Sequence, residues 1–153
     1  MYNYTVFDVA NWILANASNV TNKKLQKLTY YTYSWYIVFN NKDSEHIDNK
    51  FFENKFEAWI HGPVYPELYD KYKEYGARTI PKYEGELRDF SKDETDLLNQ
   101  VINEYGDYNG NELEDICCQE SPWKDTRNGI PNNVASNKVI NDKFIFECYS
   151  LRL

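Results

Sequence analysis

At 153 residues the chain has the length of one ordinary domain, long enough to bury about two thirds of its unfolded surface. Its net charge of -7 argues against non-specific phosphate binding, so nucleic acid is not an expected partner. No stretch approaches the ~20 apolar residues of a membrane span, which excludes a helical transmembrane protein.

Aromatic residues make up 17% of the chain, with 14 Tyr, which predicts a core of rings whose hydroxyls need partners. The first helix is expected from Thr5 to about Ala17. Thr5 and Asp8 form a capping box, and Val6, Val9, Ala10, Ile13, Leu14 and Ala17 repeat at helical spacing. A second helix starts at the N-cap Thr21 and runs to about Asn40 through "LQKLTYYTYSWYIVF". It is apolar or aromatic nearly all round, the pattern of a central helix packed on every side. Lys23, Lys24 and Lys27 at its head read as a solvated first turn whose stems lie along apolar neighbours.

After a polar loop, "FFENKFEAWI" offers two strand-like pieces with a hairpin turn around Asn54-Lys55, placing Phe56 and Ala58 on one face and Glu57 and Trp59 on the other. Gly62 and Pro63 are expected to turn the chain into a third helix that opens on Pro66. Leu68, Tyr69, Tyr72 and Tyr75 form its buried side, and Gly76 closes it as a left-handed cap. Thr79-Ile80 suits a short extended piece. A fourth helix runs from the capping box Ser91/Glu94 to Gly106, a fifth over about Asn111 to Cys118, and Ser121-Pro122 caps and starts a short turn through Trp123. Ser136 caps a last helix with Val139, Ile140 and Phe144 inward. The expected fold is mainly α (α+β), a single compact helical domain with a two- or three-stranded β element near the middle of the chain.

Chemistry is sparsely signalled. His46, His61, Cys117, Cys118 and Cys148 lack the spacing of a zinc site, so no metal and no cofactor are expected. Cys117 falls on the apolar side of its helix and reads as core rather than nucleophile. There is no Gly-x-Ser-x-Gly, P-loop or dinucleotide fingerprint, so no catalytic residue is assigned. Residues 82–120 hold twelve acidic side chains against Lys82, Arg88 and Lys92, an acidic region suited to a basic protein partner. The proline corners "HGPVYP" and "ESPWKD" display rings beside rigid turns. Trp59 reads as core, while Trp123 fits core and interface equally. Residues 1–20 lack a basic leader with a long apolar run and the cysteines lack a CxxC spacing, so free thiols and a cytoplasmic location are expected.

The stretches "VANWIL", "TNKKLQKLTYYTYSWY", "FEAWIHGPVYPELYDKYKEYG" and "NELEDICCQESPWKDTR", in this order, resemble the Panacea domain, the SocA-like and GepA-like phage-associated proteins. The likeness rests on Leu25 and its Leu-Gln-Lys-Leu run, Trp35, Trp59, Gly62-Pro63, Pro66, Gly76 and Pro122, and implies a single domain over residues 1–153. It implies an antitoxin encoded by a prophage or mobile element, with a toxin protein as partner. One branch of the family implies an adaptor that delivers the toxin to a ClpXP-type protease. Small hydrolase and DNA-binding phage regulator are the other readings. Tyr65, Trp123 and Lys124 are the expected partner contacts. Where the family usually has Thr-His, this chain has Cys117-Cys118, and the family more often has Tyr or another residue at the place of His61. Both departures weaken a shared catalytic histidine.

Overall fold

The structure is a computed structural model that describes residues 2–153. Seven helices and one antiparallel hairpin are arranged around the second helix. They are α1 (Val6–Asn16), α2 (Asn22–Asn40), β1 (Glu57–Trp59), β2 (Gly62–Val64), α3 (Pro66–Tyr72), α4 (Lys92–Tyr105), α5 (Gly110–Cys118), α6 (Ser121–Arg127) and α7 (Asp142–Ser150). The mainly α character with a small β element stands. Among the described residues no helix is long and apolar enough to cross a membrane.

Helix starts follow local chemistry. Thr5/Asp8, Ser91/Glu94 and Asn109/Glu112 all form reciprocal capping boxes. α2 packs against α1, α3, α4, α5, α7 and β2, which explains why it is apolar all round. Its small buried hydroxyls find acceptors within the helix. The hydroxyls of Thr29, Thr32 and Ser34 donate to carbonyls one turn back, at 2.8–2.9 Å. Of the two expected stripes, Tyr30, Tyr33 and Ile37 are buried, whereas Trp35 is half-buried and Phe39 is exposed near the helix end.

The hairpin lies later in the chain than expected. β1 pairs with β2 in the register Glu57↔Val64, Ala58↔Pro63, Trp59↔Gly62, so the turn is at Ile60-His61 rather than Asn54-Lys55. Asn54 is occupied elsewhere, its amide donating to the Ile140 carbonyl at 2.7 Å and to Asp142 at 2.9 Å. Gly62 and Pro63 are strand residues, and Gly62 has φ +99°, a conformation that favours glycine. The other edge of β1 is covered by residues 138–140, through Ala58 N–H to Lys138 O and Ile140 N–H to Phe56 O.

Other boundaries moved for identifiable reasons. Pro66 does open α3, but only Leu68 of its expected buried side is buried, because Tyr69, Tyr72 and Tyr75 lie along the surface. A 3-10 turn, Lys73–Tyr75, follows the helix. Gly76 closes that turn at φ 57°, ψ -126°, with a positive φ but not a left-handed helical ψ. Glu120, not Ser121, is the N-cap residue of α6, which places Pro122 at the second helical position. The last helix begins at the cap Asn141, five residues past Ser136. Val139 is exposed and bridges to Glu57, Phe144 is half-buried, and the inward residues are Ile140, Ile145 and Tyr149.

Candidate functional site

A cleft of about 1030 Å³ opens between the head of α2, the hairpin, the 3-10 turn after α3 and the first residues of α5. Its construction starts with Gln26. The Gln26 carboxamide accepts from the Tyr65 N–H (2.9 Å) and donates to Asn22 Oδ1 (2.9 Å), and Asn22 donates to the Tyr69 carbonyl (3.1 Å). Those three bonds tie the start of α3 to the first turns of α2 and fix one wall. Trp59 stands on the hairpin wall, edge-on to Tyr69 with ring centroids 5.3 Å apart, its indole N–H donating to Glu57 at 2.8 Å.

The opposite wall is polar, lined by Lys23, His61 and Asn111, the first two held by Glu114 from outside the lining. Glu114 of α5 accepts from Lys23 Nζ at 2.7 Å, and its other oxygen lies 2.8 Å from His61 Nδ1. Lys23 also donates to Asn111 Oδ1 at 2.9 Å. Burial raises the Glu114 carboxyl, but the hydrogen bonds from Lys23 and His61 and their charges outweigh it and hold the group below its ordinary range. His61 is therefore an exposed residue of the hairpin turn that ties the hairpin to α5.

Lys27 belongs to the cleft lining, yet is only 1% exposed. Its ammonium donates to one acceptor, the Pro63 carbonyl, at 3.2 Å. The close approach depends on Gly62, where a Cβ would come within 3.0 Å of Lys27 Cε. Burial pushes Lys27 down to about 8 from its ordinary 10.5, with the neighbouring Cys117 and Cys118 acting in the opposite direction. Lys24 is buried too, but differently. Its ammonium donates to the Ser18 and Gly106 carbonyls at 3.2 and 2.6 Å, next to the ends of α1 and α4. The expected solvated first turn holds for Lys23 alone.

The expected partner contacts separate. Tyr65 is 5% exposed, its ring edge-on to Phe56 and its hydroxyl donating to the Glu53 carbonyl. Trp123 is 3% exposed, its indole N–H donating to the Trp59 carbonyl at 2.7 Å beneath the Arg127 guanidinium. Both rings close helix starts from inside, so the expectation that these corners display rings to a partner is corrected. Lys124 is exposed, in a separate depression shared with Asp125 and Lys138. Among the signature residues, Leu25 is fully buried on α2, and Trp35 donates to the Tyr105 hydroxyl at 3.0 Å. Gly62 and Pro63 pack against Lys27, while Pro66 starts one wall of the cleft and Gly76 lies at its rim. Pro122 is buried at the start of α6.

Cys117 is 1% exposed and donates to the Tyr31 hydroxyl at 3.2 Å, while His46 pairs with Asp43 in an exposed loop, so neither histidine meets a thiol. Among the described residues no group of three or more His, Cys, Asp or Glu is placed to hold a metal ion. The residues that reading the sequence missed are Lys27, Gln26, Glu114 and the cap Asn109. A signal for Lys27 was present: Val20, Lys24, Lys27, Tyr31, Ser34 and Val38 follow helical spacing, and all six are buried.

A family model described as antitoxin SocA-like, Panacea domain, matches residues 25–124, from the second turn of α2 to Lys124 in α6. The chain matches no curated protein and no solved structure.

Proposed function

The chain belongs to the antitoxin SocA-like, Panacea domain family, and from that premise we propose that it is a cytoplasmic antitoxin that neutralises a cognate toxin by direct protein–protein contact. The observation that carries this reading is the extent of the family match. It includes most of α2, the whole hairpin, α3 and α5, which supply most of the cleft, while Thr21, Asn22, Lys23 and residues 135–137 of the lining lie outside it. An antitoxin that acts by contact needs a surface of about 800 Å² and no reacting group. The pairings described above fit that demand, because His61, Glu114 and Cys117 are each engaged by neighbouring side chains.

The test is co-expression with the product of the adjacent reading frame. Restored growth together with a complex that survives gel filtration is the expected result. Persistent toxicity with no recoverable complex overturns the reading. A toxin half-life that shortens only when a ClpXP-type protease is present would replace blocking by delivery.

A further inference from the structure

The cleft differs electrostatically from the rest of the chain. Lys23, Lys27 and Lys73 line it against one carboxylate, Glu57, in a protein of net charge -7, and Glu57 is engaged by the Trp59 indole. Lys23 is neutralised by Glu114 at 2.7 Å, whereas Lys73 meets only a long, exposed contact with Asp70 at 3.7 Å. Lys27 has three donors and one acceptor. The first residues of α2 and of α5, helices of 19 and 9 residues, line the same space and add the positive ends of two backbone dipoles. Its volume, about 1030 Å³, lies at the upper end of the range for ligand pockets, and the Trp59–Tyr69 pair gives it an apolar wall.

We propose that this cleft is the toxin-docking site and that it takes an extended acidic segment of the toxin, a carboxylate side chain meeting Lys27 and an adjoining apolar side chain lying on Trp59 and Tyr69. The inference rests on the antitoxin reading and adds the location and chemistry of the contact. A carboxylate delivered to Lys27 would supply the missing acceptors to a charge already removed from water, where such a pair is screened least. The same charge distribution disfavours a basic segment at this site.

The experiment measures the dissociation constant of the toxin complex by calorimetry for wild type, Lys27→Met, Lys73→Glu and His61→Glu. Lys124→Glu, in the separate depression, is the control. Lys73 is an exposed rim residue whose replacement tests the cleft without a folding penalty, whereas His61→Glu sets a second carboxylate beside Glu114 and is paired with a thermal melt that confirms folding. Each cleft variant is expected to bind about tenfold or more weakly, while Lys124→Glu stays within about twofold. Free glutamate, used as the carboxylate probe, is expected to weaken the wild-type complex more than chloride at equal ionic strength. Cleft variants that bind like wild type overturn the proposed location while leaving the antitoxin reading intact. Equal competition by glutamate and chloride overturns the carboxylate contact. A wild-type protein that forms no complex with the adjacent product removes both readings together.

Discussion

Lys27 of α2 and Glu120, the N-cap of α6 that meets Tyr31 one turn further along α2, are both buried charges, and they are treated in opposite ways. Glu120, 8% exposed, accepts from the Tyr31 and Tyr149 hydroxyls at 2.7 and 2.8 Å and pairs with Arg152 at 2.5 Å. Tyr31 in turn stacks on Tyr105 with centroids 4.0 Å apart, and Tyr105 accepts from Trp35. The network is closed, and every change to it leaves a buried polar group without its partner. Lys27 has one carbonyl and borders a cleft. A saturated buried charge specifies packing, whereas an undersaturated one at a cavity is held at a cost to stability and is available to a ligand.

The largest expected effect breaks the saturated side. Glu120→Ala removes the carboxylate acceptor from two buried tyrosine hydroxyls, leaving Tyr31 only the Cys117 thiol and Tyr149 only the Tyr30 hydroxyl, and should destabilise the fold by about 2–4 kcal/mol in a urea titration. A loss below about 1 kcal/mol would remove the contrast between the two charges.

Lys27→Met should act in the other direction. The proton is held more weakly in the folded state, where the group lies near 8, than in the unfolded chain, where it lies near 10.5. Between those values the unfolded chain binds more protons, so raising pH favours the folded state. The cost of burying the charge is thus fully present below about pH 8 and is relieved by about pH 10.5. At pH 7 that cost is roughly 3 kcal/mol, and losing the bond to Pro63 offsets about 1 kcal/mol of it. The variant should therefore be more stable by roughly 2 kcal/mol at pH 7, with the gain shrinking as pH rises through this window. Thermal melts of both proteins at pH 7 and pH 9.5 check this, and equal gains at the two pH values would contradict it.

Gly62→Ala sharpens the comparison beside Lys27. An alanine there must adopt φ +99° with its Cβ 3.0 Å from Lys27 Cε, for an expected loss of about 1–3 kcal/mol measured by denaturant titration. Smaller still is the response of Cys117, the thiol beside both groups. Burial pushes it up to about 12 against the opposing effects of Lys27 and the Tyr31 hydroxyl, and pushes Cys118 up to about 11. Thiol labelling at pH 8 should reach Cys117 last and only on unfolding. His61→Ala should change stability by no more than about 0.5 kcal/mol, since the residue is exposed and its contact with Glu114 is a surface pair.

Much of this contrast was invisible in one dimension. The capping boxes at Thr5 and Ser91, the core face of α1 and the centrality of α2 were legible because each depends on residues within a few positions of one another. The hairpin was misplaced because Asn54-Lys55 and Ile60-His61 are both admissible turns. The choice between them was made by Lys138 and Ile140, some eighty residues on, which occupy the other edge of β1. Tyr65 was read as a partner contact, and Trp123 as core or interface equally, because proline corners do lie at surfaces. Their burial follows from Phe56 and from the Trp59 carbonyl, which meet them only after the chain has folded back.

The sequence by itself determined where α1, α2, α3 and α4 begin, which helix is central and, through the run from Leu25 to Lys124, the family. Short-range hydrogen bonding and helical period suffice for the first two. Only the tertiary structure decided which charges are structural. Lys24, Lys27 and Glu120 look alike as polar residues at helix starts. Their partners at Gly106, Pro63 and Tyr149 are respectively 82, 36 and 29 positions away. The energy of a buried charge is set by the acceptors and donors brought to it from elsewhere, and that is a property of the packed chain rather than of its local pattern.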